Sequence, residues 1–427
     1  MHNQQGYLFN GLGIVPKILE TLYRMRFTTP TPIQYKAIPI AIEEKDLIGV
    51  AQTGTGKTLA FAIPVIQRLL QKRSRCLVLV PTRELALQVD AEFRKIGASL
   101  GIKTSVIIGG APIQAQLNEL RRDPRIIIAT PGRLVDHINR RTAPLYDVGI
   151  LVLDEADRML DMGFLPDIER ILRVMPKKRQ TMLFSATIPK EILQIASSHM
   201  RLPVHIEVAP SGTTAEHVTQ ELFIVKKDAK NRLLAKLLAQ YKGAVLIFSR
   251  TKIGAKKITR YIKTMGYTAS EIHSDKSLGQ RKEALSGFKT GKYRVLVATD
   301  IAARGIDVMG IELVINYDIP DDAENYVHRI GRTGRAGHEG HAISFATPEQ
   351  SSAVRSIEKI IKTTLPVSGH PDFPKEVFIN AGPASKPAGF SHKPAPKYFN
   401  KKKPRRFYDG RFAKKRNFHA PGKEQRA

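Results

Sequence analysis

The sequence predicts an α/β fold with two parallel-sheet domains and a disordered basic tail, on the basis of three observations. Apolar runs of strand length alternate with longer helical patterns. This alternation stops at one short stretch of small and polar residues and then resumes. Beyond about residue 370 it ends, and prolines, glycines and lysines dominate.

The elements of each half follow in the order expected for parallel strands joined by helices. The strands predicted in the first half are 47–50, 76–80, 105–108, 126–129, 150–153 and 181–184, with a helix over 59–70. Those predicted in the second half are 244–248, 294–298, 313–316 and 342–345. Because strands that alternate with helices form parallel sheets, each half predicts one such domain.

The stretch between the halves, residues 209–215, reads Ala-Pro-Ser-Gly-Thr-Thr-Ala and has the composition of a linker. We therefore expect an N-terminal domain over 1–209 and a linker over 210–216. A C-terminal domain is expected over 217–369 and a tail over 370–427.

Composition limits the class of protein before any motif is considered. The chain has 427 residues, 42% of them hydrophobic, which suffices for two cores. Its formal net charge of +29 favours a polyanionic partner such as nucleic acid, although charge alone also fits an anionic membrane. Its single cysteine, Cys76, allows no internal disulfide and no cysteine-based zinc site.

The absence of recognisable targeting signals limits the class of protein further. No run of eighteen apolar residues occurs, and the first residues lack the charged and apolar regions of a secretory signal. The sequence therefore predicts a cytoplasmic protein with no membrane partner.

The acidic tetrad at residues 154–157, Asp-Glu-Ala-Asp, directly follows a strand suited to a buried parallel sheet. Ligands bind at the carboxyl ends of such strands. Asp154 can hold Mg²⁺ directly or through water, and Glu155 can take a proton from an attacking water. The alternative is a solvated helix start with two acidic residues.

A glycine-rich loop lies about ninety residues upstream, between a predicted strand and a helix. Residues 51–58 read Ala-Gln-Thr-Gly-Thr-Gly-Lys-Thr. Small loop residues let backbone N–H groups surround phosphates, Lys57 reaches the β and γ oxygens, and the Thr58 hydroxyl can bind Mg²⁺. A polar turn without function is the alternative.

These two motifs together resemble those of DEAD-box ATP-dependent RNA helicases of superfamily 2, and the resemblance covers roughly residues 9–340. It implies two tandem RecA-like domains, ATP and Mg²⁺ as cofactors, and single-stranded RNA and short duplexes as partners. By this resemblance, Thr58 and Asp154 hold the metal, Glu155 is the general base and Lys57 is catalytic. The loop residues expected to contact the nucleotide are Ala51, Gln52, Thr53, Gly54, Thr55, Gly56, Lys57 and Thr58.

An aromatic and amide segment before the loop is similar to the family's adenine-reading Q motif. The Gln34 amide can both donate to and accept from the adenine edge, and the Phe27 ring can stack on it. By the resemblance, Phe9 is an accessory aromatic. Arg26 stands where the family usually has glycine, which affects the geometry of the local turn.

Several loops that follow strands resemble the family's RNA-contacting motifs. Glycines, threonine hydroxyls and arginines at such positions bind phosphates without reading bases. The residues expected to contact RNA are Pro81, Thr82, Arg83, Gly110, Thr130, Arg133, Arg250, Thr299 and Arg304. Each loop alone would be an ordinary helix cap, and it is their order along the chain that supports this interpretation.

The second half supplies cations for phosphoryl transfer. Residues 328–335 read His-Arg-Ile-Gly-Arg-Thr-Gly-Arg and resemble the family's arginine-finger motif, with His328, Arg332 and Arg335 as catalytic candidates. The resemblance assigns Asp307 to the ATP ribose. It also assigns three residues to the coupling of hydrolysis with strand separation, namely Asp157, Ser185 and Thr187.

Two residues depart from the family pattern in the second half. Ser274 replaces a glycine and Leu278 replaces a glutamine, whereas Arg281 is kept. We therefore do not expect Leu278 to make the side-chain contact that the family's glutamine makes, and we expect a slightly altered RNA path near Ser274.

The tail from residue 386 carries fourteen Lys or Arg against Asp409 and Glu424, interleaved with seven aromatic residues. Cations with aromatic rings bind single-stranded RNA in a sequence-tolerant way, so the tail is expected to tether RNA. The predicted activity is ATP-dependent unwinding of short RNA duplexes or local remodelling of RNA–protein complexes. The alternatives are an RNA-binding scaffold or annealing chaperone, and a DNA-directed motor.

Overall fold

The computed structural model describes residues 8–52, 54–208, 218–303, 308–334, 339–374 and 376–379. The predicted linker, residues 380–427 of the predicted tail and four candidate residues (Thr53, Arg304, Asp307 and Arg335) lie outside these ranges.

The first half folds into seven strands with helices between them. Its helices are α1 (Pro16–Arg24), α2 (Pro32–Ile42), α3 (Lys57–Gln71), α4 (Arg83–Gly97), α5 (Ile113–Leu120), α6 (Pro131–Asn139), α7 (Ala156–Asp161), α8 (Leu165–Val174) and α9 (Lys190–His199). Its strands are β1 (Leu47–Val50), β2 (Arg75–Leu79), β3 (Thr104–Ile107), β4 (Ile126–Ala129), β5 (Val148–Leu153), β6 (Gln180–Ser185) and β7 (Val204–Glu207).

The second half repeats this organisation. Its helices are α10 (Lys230–Gln240), α11 (Lys252–Thr264), α12 (Leu278–Lys289), α13 (Asp300–Ala303), α14 (Ala323–Ile330) and α15 (Ser351–Ile361). Its strands are β8 (Val218–Ile224), β9 (Ala244–Phe248), β10 (Ala269–Ile272), β11 (Val295–Ala298), β12 (Ile311–Asn316), β13 (Gly340–Ala346) and β14 (Val367–Ser368).

Both sheets are parallel, as the alternation of strands and helices predicts. The first has the order β3-β4-β2-β5-β6-β1-β7, and the second has the order β10-β11-β9-β12-β13-β8-β14. Because all strands of a sheet run the same way, the loops after them gather at one edge, where ligands bind in such folds. The predicted fold class of two RecA-like α/β domains is confirmed.

Each sheet separates two apolar layers. In β2, Cys76 and Val78 point into one layer, whereas Leu77 and Leu79 point into the other. Alternate residues of a strand face opposite sides, so a strand that is apolar throughout must be covered on both faces. The helices on either side of each sheet provide this cover.

The second domain continues past residue 369, where the sequence places the start of the tail. Phe373 and Phe378 pack against the two apolar layers of the second sheet. The backbone N–H of Ile379 donates to the carbonyl of Pro348 at 3.0 Å. In the part of the chain that the structure describes, the packing of the second domain therefore extends to residue 379, past the expected boundary.

Among the described residues, none of the helices is both long enough and apolar enough to cross a bilayer.

Candidate active site

A cavity of about 540 Å³ lies between the two domains. The first domain lines it with loop and strand-end residues that include Phe27, Gln34, Gly54, Gly56, Lys57, Thr58, Asp154 and Glu155. The second domain contributes Lys289, Met309 and Arg332. Candidates that are far apart in the sequence thus meet in one cavity.

The glycine-rich loop joins β1 to α3 in a conformation that depends on its glycines. Gly54 and Gly56 have φ values of 85° and 87°, a region that residues with a Cβ rarely adopt. A Cβ on Gly56 would also press against the Gln34 amide and lie 3.2 Å from the Thr31 hydroxyl. The loop can therefore approach its ligand closely.

Lys57 begins α3, and its ammonium lies inside the loop. Its Nζ donates to the carbonyl oxygen of Ala51 at 2.6 Å, while the N–H of Ala51 is bound to the Ser185 carbonyl. The Thr55 hydroxyl donates to the carbonyl of Gln52. These contacts hold the loop against the sheet and keep the cation at the cavity wall.

The two adjacent acids end β5. Burial, opposed by the charge of Lys57 and aided by that of Glu155, raises the pKa of Asp154 to about 7. The Asp154 Oδ1 accepts from the N–H of Glu155 at 3.0 Å. A carboxylate and the Thr58 hydroxyl on the same cavity wall are suitable Mg²⁺ ligands, because Mg²⁺ is commonly held by one or two protein groups together with phosphates and water.

Asp157, the last acid of the tetrad, is joined to the end of β6. Its Oδ2 accepts from the N–H groups of Ala186 and Thr187 at 3.0 and 2.9 Å, and from the Thr187 hydroxyl at 3.2 Å. The Ser185 hydroxyl accepts from the N–H of Asp157. The Thr187 hydroxyl therefore contacts the Asp157 carboxylate and the Ser185 hydroxyl contacts the Asp157 backbone, so α7 is tied to the end of β6.

Gln34 lies at the start of α2, where it caps the helix and also reaches the loop. Its Oε1 accepts from the N–H of Thr31 at 2.9 Å, and its Nε2 donates to the Gly56 carbonyl at 3.0 Å. Both Gln34 and Phe27 line the cavity. Arg26 adopts φ 61°, which explains why glycine is usual at this position in the family.

Phe9 is not brought to the cavity. Its side chain is 1% exposed and packs in the first apolar layer with residues of α1 and α2. The burial of Phe9 contradicts the accessory role expected for it, because a ring covered by core side chains cannot stack on a nucleotide.

The arginine motif of the second domain begins on α14. Arg332 reaches the nucleotide cavity, and His328 and Arg332 also line a small neighbouring cavity. Arg329 is fully buried and donates to both carboxylate oxygens of Asp300 at 2.5 and 2.7 Å. This ion pair fixes α14 against the end of β11.

The residues expected to contact RNA follow neighbouring strands in both sheets. Arg83 packs over Gly109 and Gly110, where a Cβ on Gly110 would lie 2.9 Å from the arginine Cζ. The Thr82 hydroxyl caps α4 by accepting from the N–H of Leu85. Thr130 stands at the start of α6 without a side-chain cap hydrogen bond.

The remaining RNA candidates are held by nearby carbonyls and acids. Arg133 donates to the carbonyl of Ala111 at 3.1 Å, and Arg250 donates to that of Ile319 at 3.2 Å. Thr299 follows β11, and Pro81 follows β2, at the corresponding edges of their sheets. The geometry thus places all the described candidates at the carboxyl edges of the strands.

Helix α12 also contacts the first domain. Arg281 Nη2 donates to Glu84 Oε2 at 2.7 Å, and both side chains are buried. Leu278 packs against the apolar layer of the first domain. The side chain of Leu278 thus takes part in the domain interface, and the expectation that it does not replace the glutamine's contact stays a prediction. The altered RNA path near Ser274 stays a prediction.

Sequence reasoning missed several residues of the site. Arg158 forms an ion pair with Glu155 at 2.9 Å, and Lys289 and Met309 line the nucleotide cavity. The spacing of Glu155 and Arg158, three positions apart at a helix start, was the available signal. Lys289 and Met309 gave no such signal, since only the position of the second domain brings them there.

Comparisons with known proteins agree with this geometry. A DEAD/DEAH box helicase domain matches residues 31–195, and a helicase conserved C-terminal domain matches residues 229–337. The ATP-dependent RNA helicase CshA of Listeria monocytogenes is 46% identical over 83% of this chain and 69% of its own length. The ATP-dependent rRNA helicase RRP3 of Candida albicans is 43% identical over 86% of this chain and 70% of its own length.

A solved structure gives the same result for the fold. The Saccharomyces cerevisiae protein Dbp5, bound to RNA and ADP BeF3, superposes with a TM-score of 0.77 at 31% identity. The superposition covers 84% of this chain and 95% of that protein.

Proposed function

Since the chain belongs to the DEAD-box family of ATP-dependent RNA helicases, and is therefore an RNA-dependent ATPase, we propose that it hydrolyses ATP in the cavity between its two domains. One observation carries this proposal. The same cavity holds Lys57, Asp154 and Glu155 of the first domain and Arg332 of the second.

Recognition of ATP divides among three parts of the first domain. The Phe27 ring and the Gln34 amide bind adenine at one end of the cavity. The loop N–H groups and Lys57 bind the phosphates at the other end, where Lys57 leaves the Ala51 carbonyl for a phosphate oxygen. Thr58 and Asp154 would hold Mg²⁺, which neutralises charge on the β and γ phosphates when bound.

Hydrolysis requires a base and a stabiliser of the charge that develops. Glu155 takes the proton of the attacking water, since this residue lines the cavity beside Asp154. Arg332 stabilises the equatorial oxygens of the transferred phosphoryl group, a contribution that in related chemistry reaches about 10³ to 10⁵ in rate. Arg335 and Asp307 lie outside the described residues, and their roles stay predictions.

RNA binds along the carboxyl edges of both sheets. The threonines, glycines and arginines there contact phosphates, so binding positions a strand without reading its sequence. Dbp5, which shares the fold, is bound to RNA in its structure, and this likeness supports RNA as the ligand here. Closure of the two domains then bends one strand, and a short duplex opens locally.

Two further expectations stay predictions. The tail from residue 386 tethers RNA through its cations and aromatic rings, and the protein acts in the cytoplasm.

The test is ATP hydrolysis by the wild type and by Glu155→Gln with no nucleic acid, with single-stranded RNA and with DNA of the same sequence. We expect stimulation by RNA alone, abolished in the variant. Equal stimulation by DNA would favour the DNA-directed motor instead.

The scaffold alternative needs its own test, because an RNA chaperone can work through its tail without hydrolysis. Lys57→Ala removes the phosphate-binding cation and should abolish ATP-driven duplex opening. If annealing and duplex disruption were unchanged in this variant, the scaffold would explain the activity and the motor would not.

A further inference from the structure

Arg158 is a cation in an environment that rarely accepts one. Its side chain is 1% exposed on the short helix α7. Burying a guanidinium is costly unless a carboxylate and further hydrogen bonds compensate for the lost water. Its Nη1 donates to Glu155 Oε2 at 2.9 Å, and its Nη2 has no hydrogen-bond partner among the described residues. The ion pair with Glu155 is therefore the main compensation that the described structure gives it.

Glu155 depends on this contact for its orientation. Its backbone lies in the left-handed region at φ 51°, and a glutamate side chain has three torsions that must be fixed before it can act as a base. Arg158 holds the Oε2 atom, which leaves Oε1 for a water. A misplacement of about 1 Å in such a site costs on the order of 10²-fold in rate.

Arg158 also faces the second domain. It lines the small cavity that is otherwise formed by second-domain residues, among them Asp300, His328, Arg329 and Arg332. Arg158 thus donates to the proposed base and also lines the same small cavity as the arginine motif. The position of the Arg158 side chain therefore depends on where the second domain packs against the first.

We propose that Arg158 is a positioning residue for Glu155, which it holds in the orientation needed for hydrolysis when the second domain is in place. The inference rests on the proposed role of Glu155 as the general base. Arg158 itself does not touch ATP, since it is absent from the lining of the nucleotide cavity in the part of the chain that the structure describes.

The test compares Arg158→Met, Arg158→Gln and Arg158→Lys. Three quantities are measured: the kcat and KM of RNA-stimulated ATP hydrolysis, the affinity for single-stranded RNA with a non-hydrolysable ATP analogue, and the midpoint of thermal unfolding. We expect the Met and Gln variants to lose about 10²-fold in kcat. KM for ATP and RNA affinity should stay within about twofold, because a positioning residue acts on the chemical step. The Lys variant, which keeps the cation, should recover about tenfold of the lost rate.

Arg75→Met is the matched control. Arg75 is also a buried arginine of the first domain, and it pairs with Asp123 and Asp147 at the opposite edge of the same sheet. This variant should lower the unfolding midpoint and leave kcat unchanged. It therefore measures the general effect of breaking a buried ion pair.

The outcomes separate the inference from the function on which it rests. If kcat of the Gln and Met variants stays within threefold of wild type while Glu155→Gln is inactive, the inference fails and the proposed function stands. If RNA affinity falls as much as kcat, Arg158 supports the domain interface rather than Glu155. If Glu155→Gln hydrolyses ATP normally, the proposed base is wrong. Should the Met variant not fold, the Gln variant decides.

Discussion

Arg26 occupies a backbone conformation that favours glycine, and this makes it a site where a single substitution should stabilise the protein. Its φ of 61° costs a residue with a Cβ about 1–2 kcal/mol. Glycine would remove this strain but would cost about 0.5–1 kcal/mol in lost chain entropy. Arg26→Gly should therefore raise the free energy of unfolding of the first domain by about 0.5–1 kcal/mol, measured by urea denaturation.

The control for this prediction is two residues away. Arg24 lies in the last turn of α1, where glycine is unfavourable, so Arg24→Gly should lower the stability by about 1 kcal/mol. If both variants destabilise the domain to the same extent, the conformation at Arg26 is not strained and the argument fails.

Gly110 illustrates a second residue-scale effect, the close approach of a side chain to the backbone. A Cβ at this position would meet the Arg83 guanidinium and force it to move. Gly110→Ala should therefore weaken the binding of single-stranded RNA about tenfold, the worth of one charge-assisted hydrogen bond to a phosphate, without changing the affinity for ATP.

The matched control is Gly101→Ala. Gly101 has φ 75°, nearly the same as the 76° of Gly110, but a Cβ there would meet no atom within 4 Å. Both variants share the backbone strain, and only one displaces Arg83. Equal losses of RNA affinity in a filter-binding titration would show that strain, not the position of Arg83, matters.

At the scale of the element, α2 uses one side chain for two purposes. Gln34 Oε1 caps the helix through the Thr31 N–H, and Nε2 reaches the Gly56 carbonyl in the loop. Gln34→Glu keeps the capping acceptor and loses the donor, whereas Gln34→Ala loses both. The Glu variant should therefore bind ATP about 10- to 100-fold more weakly while keeping the helix cap, because a carboxylate can accept from the Thr31 N–H but cannot donate to adenine or to a carbonyl.

The Ala variant should combine that loss of affinity with a loss of about 1 kcal/mol in unfolding free energy. Affinity is measured with a fluorescent ATP analogue, and stability by thermal unfolding. An unchanged affinity in the Glu variant would mean that Gln34 serves only as a helix cap.

The elements that the sequence predicts well are those buried on both faces. Strands such as β4 and β5 consist of apolar residues that can only lie between two helical layers, and their predicted positions agree with the structure to within two residues. Strands β7 and β10 were not predicted, since polar residues such as the exposed His205 and the half-buried Glu271 interrupt their apolar pattern. Their pairing depends on neighbouring strands rather than on their own residues.

At the scale of the whole molecule, the two domains share one site. The contacts between the domains are the part of the structure that the sequence alone predicts least well. Motif order predicts that Arg332 must meet the glycine-rich loop, because both serve one chemistry. Nothing in the pattern predicts that α12 packs on the first domain through Leu278, or that Glu84 and Arg281 form a buried pair. Such contacts depend on the relative position of two independently folded surfaces.

The contact of Leu278 with the first domain gives a prediction about closure. A partly buried leucine contributes about 1 kcal/mol to an interface, which is about fivefold in an equilibrium constant. Closure and RNA binding are linked, so loss of this contact should raise the RNA concentration needed for half-maximal ATPase activity about fivefold in Leu278→Gln. If one fluorescent dye is attached to each domain, the distance between the two dyes should also be larger in Leu278→Gln than in the wild type before RNA is added. Cys76 is fully buried and so leaves introduced cysteines as the labelling sites.

Lys282→Gln is the control, because Lys282 is exposed on the same helix and its loss removes a cation without touching the interface. The Lys282→Gln variant should leave the distance between the dyes unchanged. It should raise the half-saturating RNA concentration only by the effect of losing one positive charge that attracts RNA. A change in Leu278→Gln no larger than in this control would show that the leucine does not hold the domains together.

In that case the buried pair of Glu84 and Arg281 would be the contact that sets closure. Glu84→Gln would then produce the larger opening, because it leaves the guanidinium buried without a charged partner.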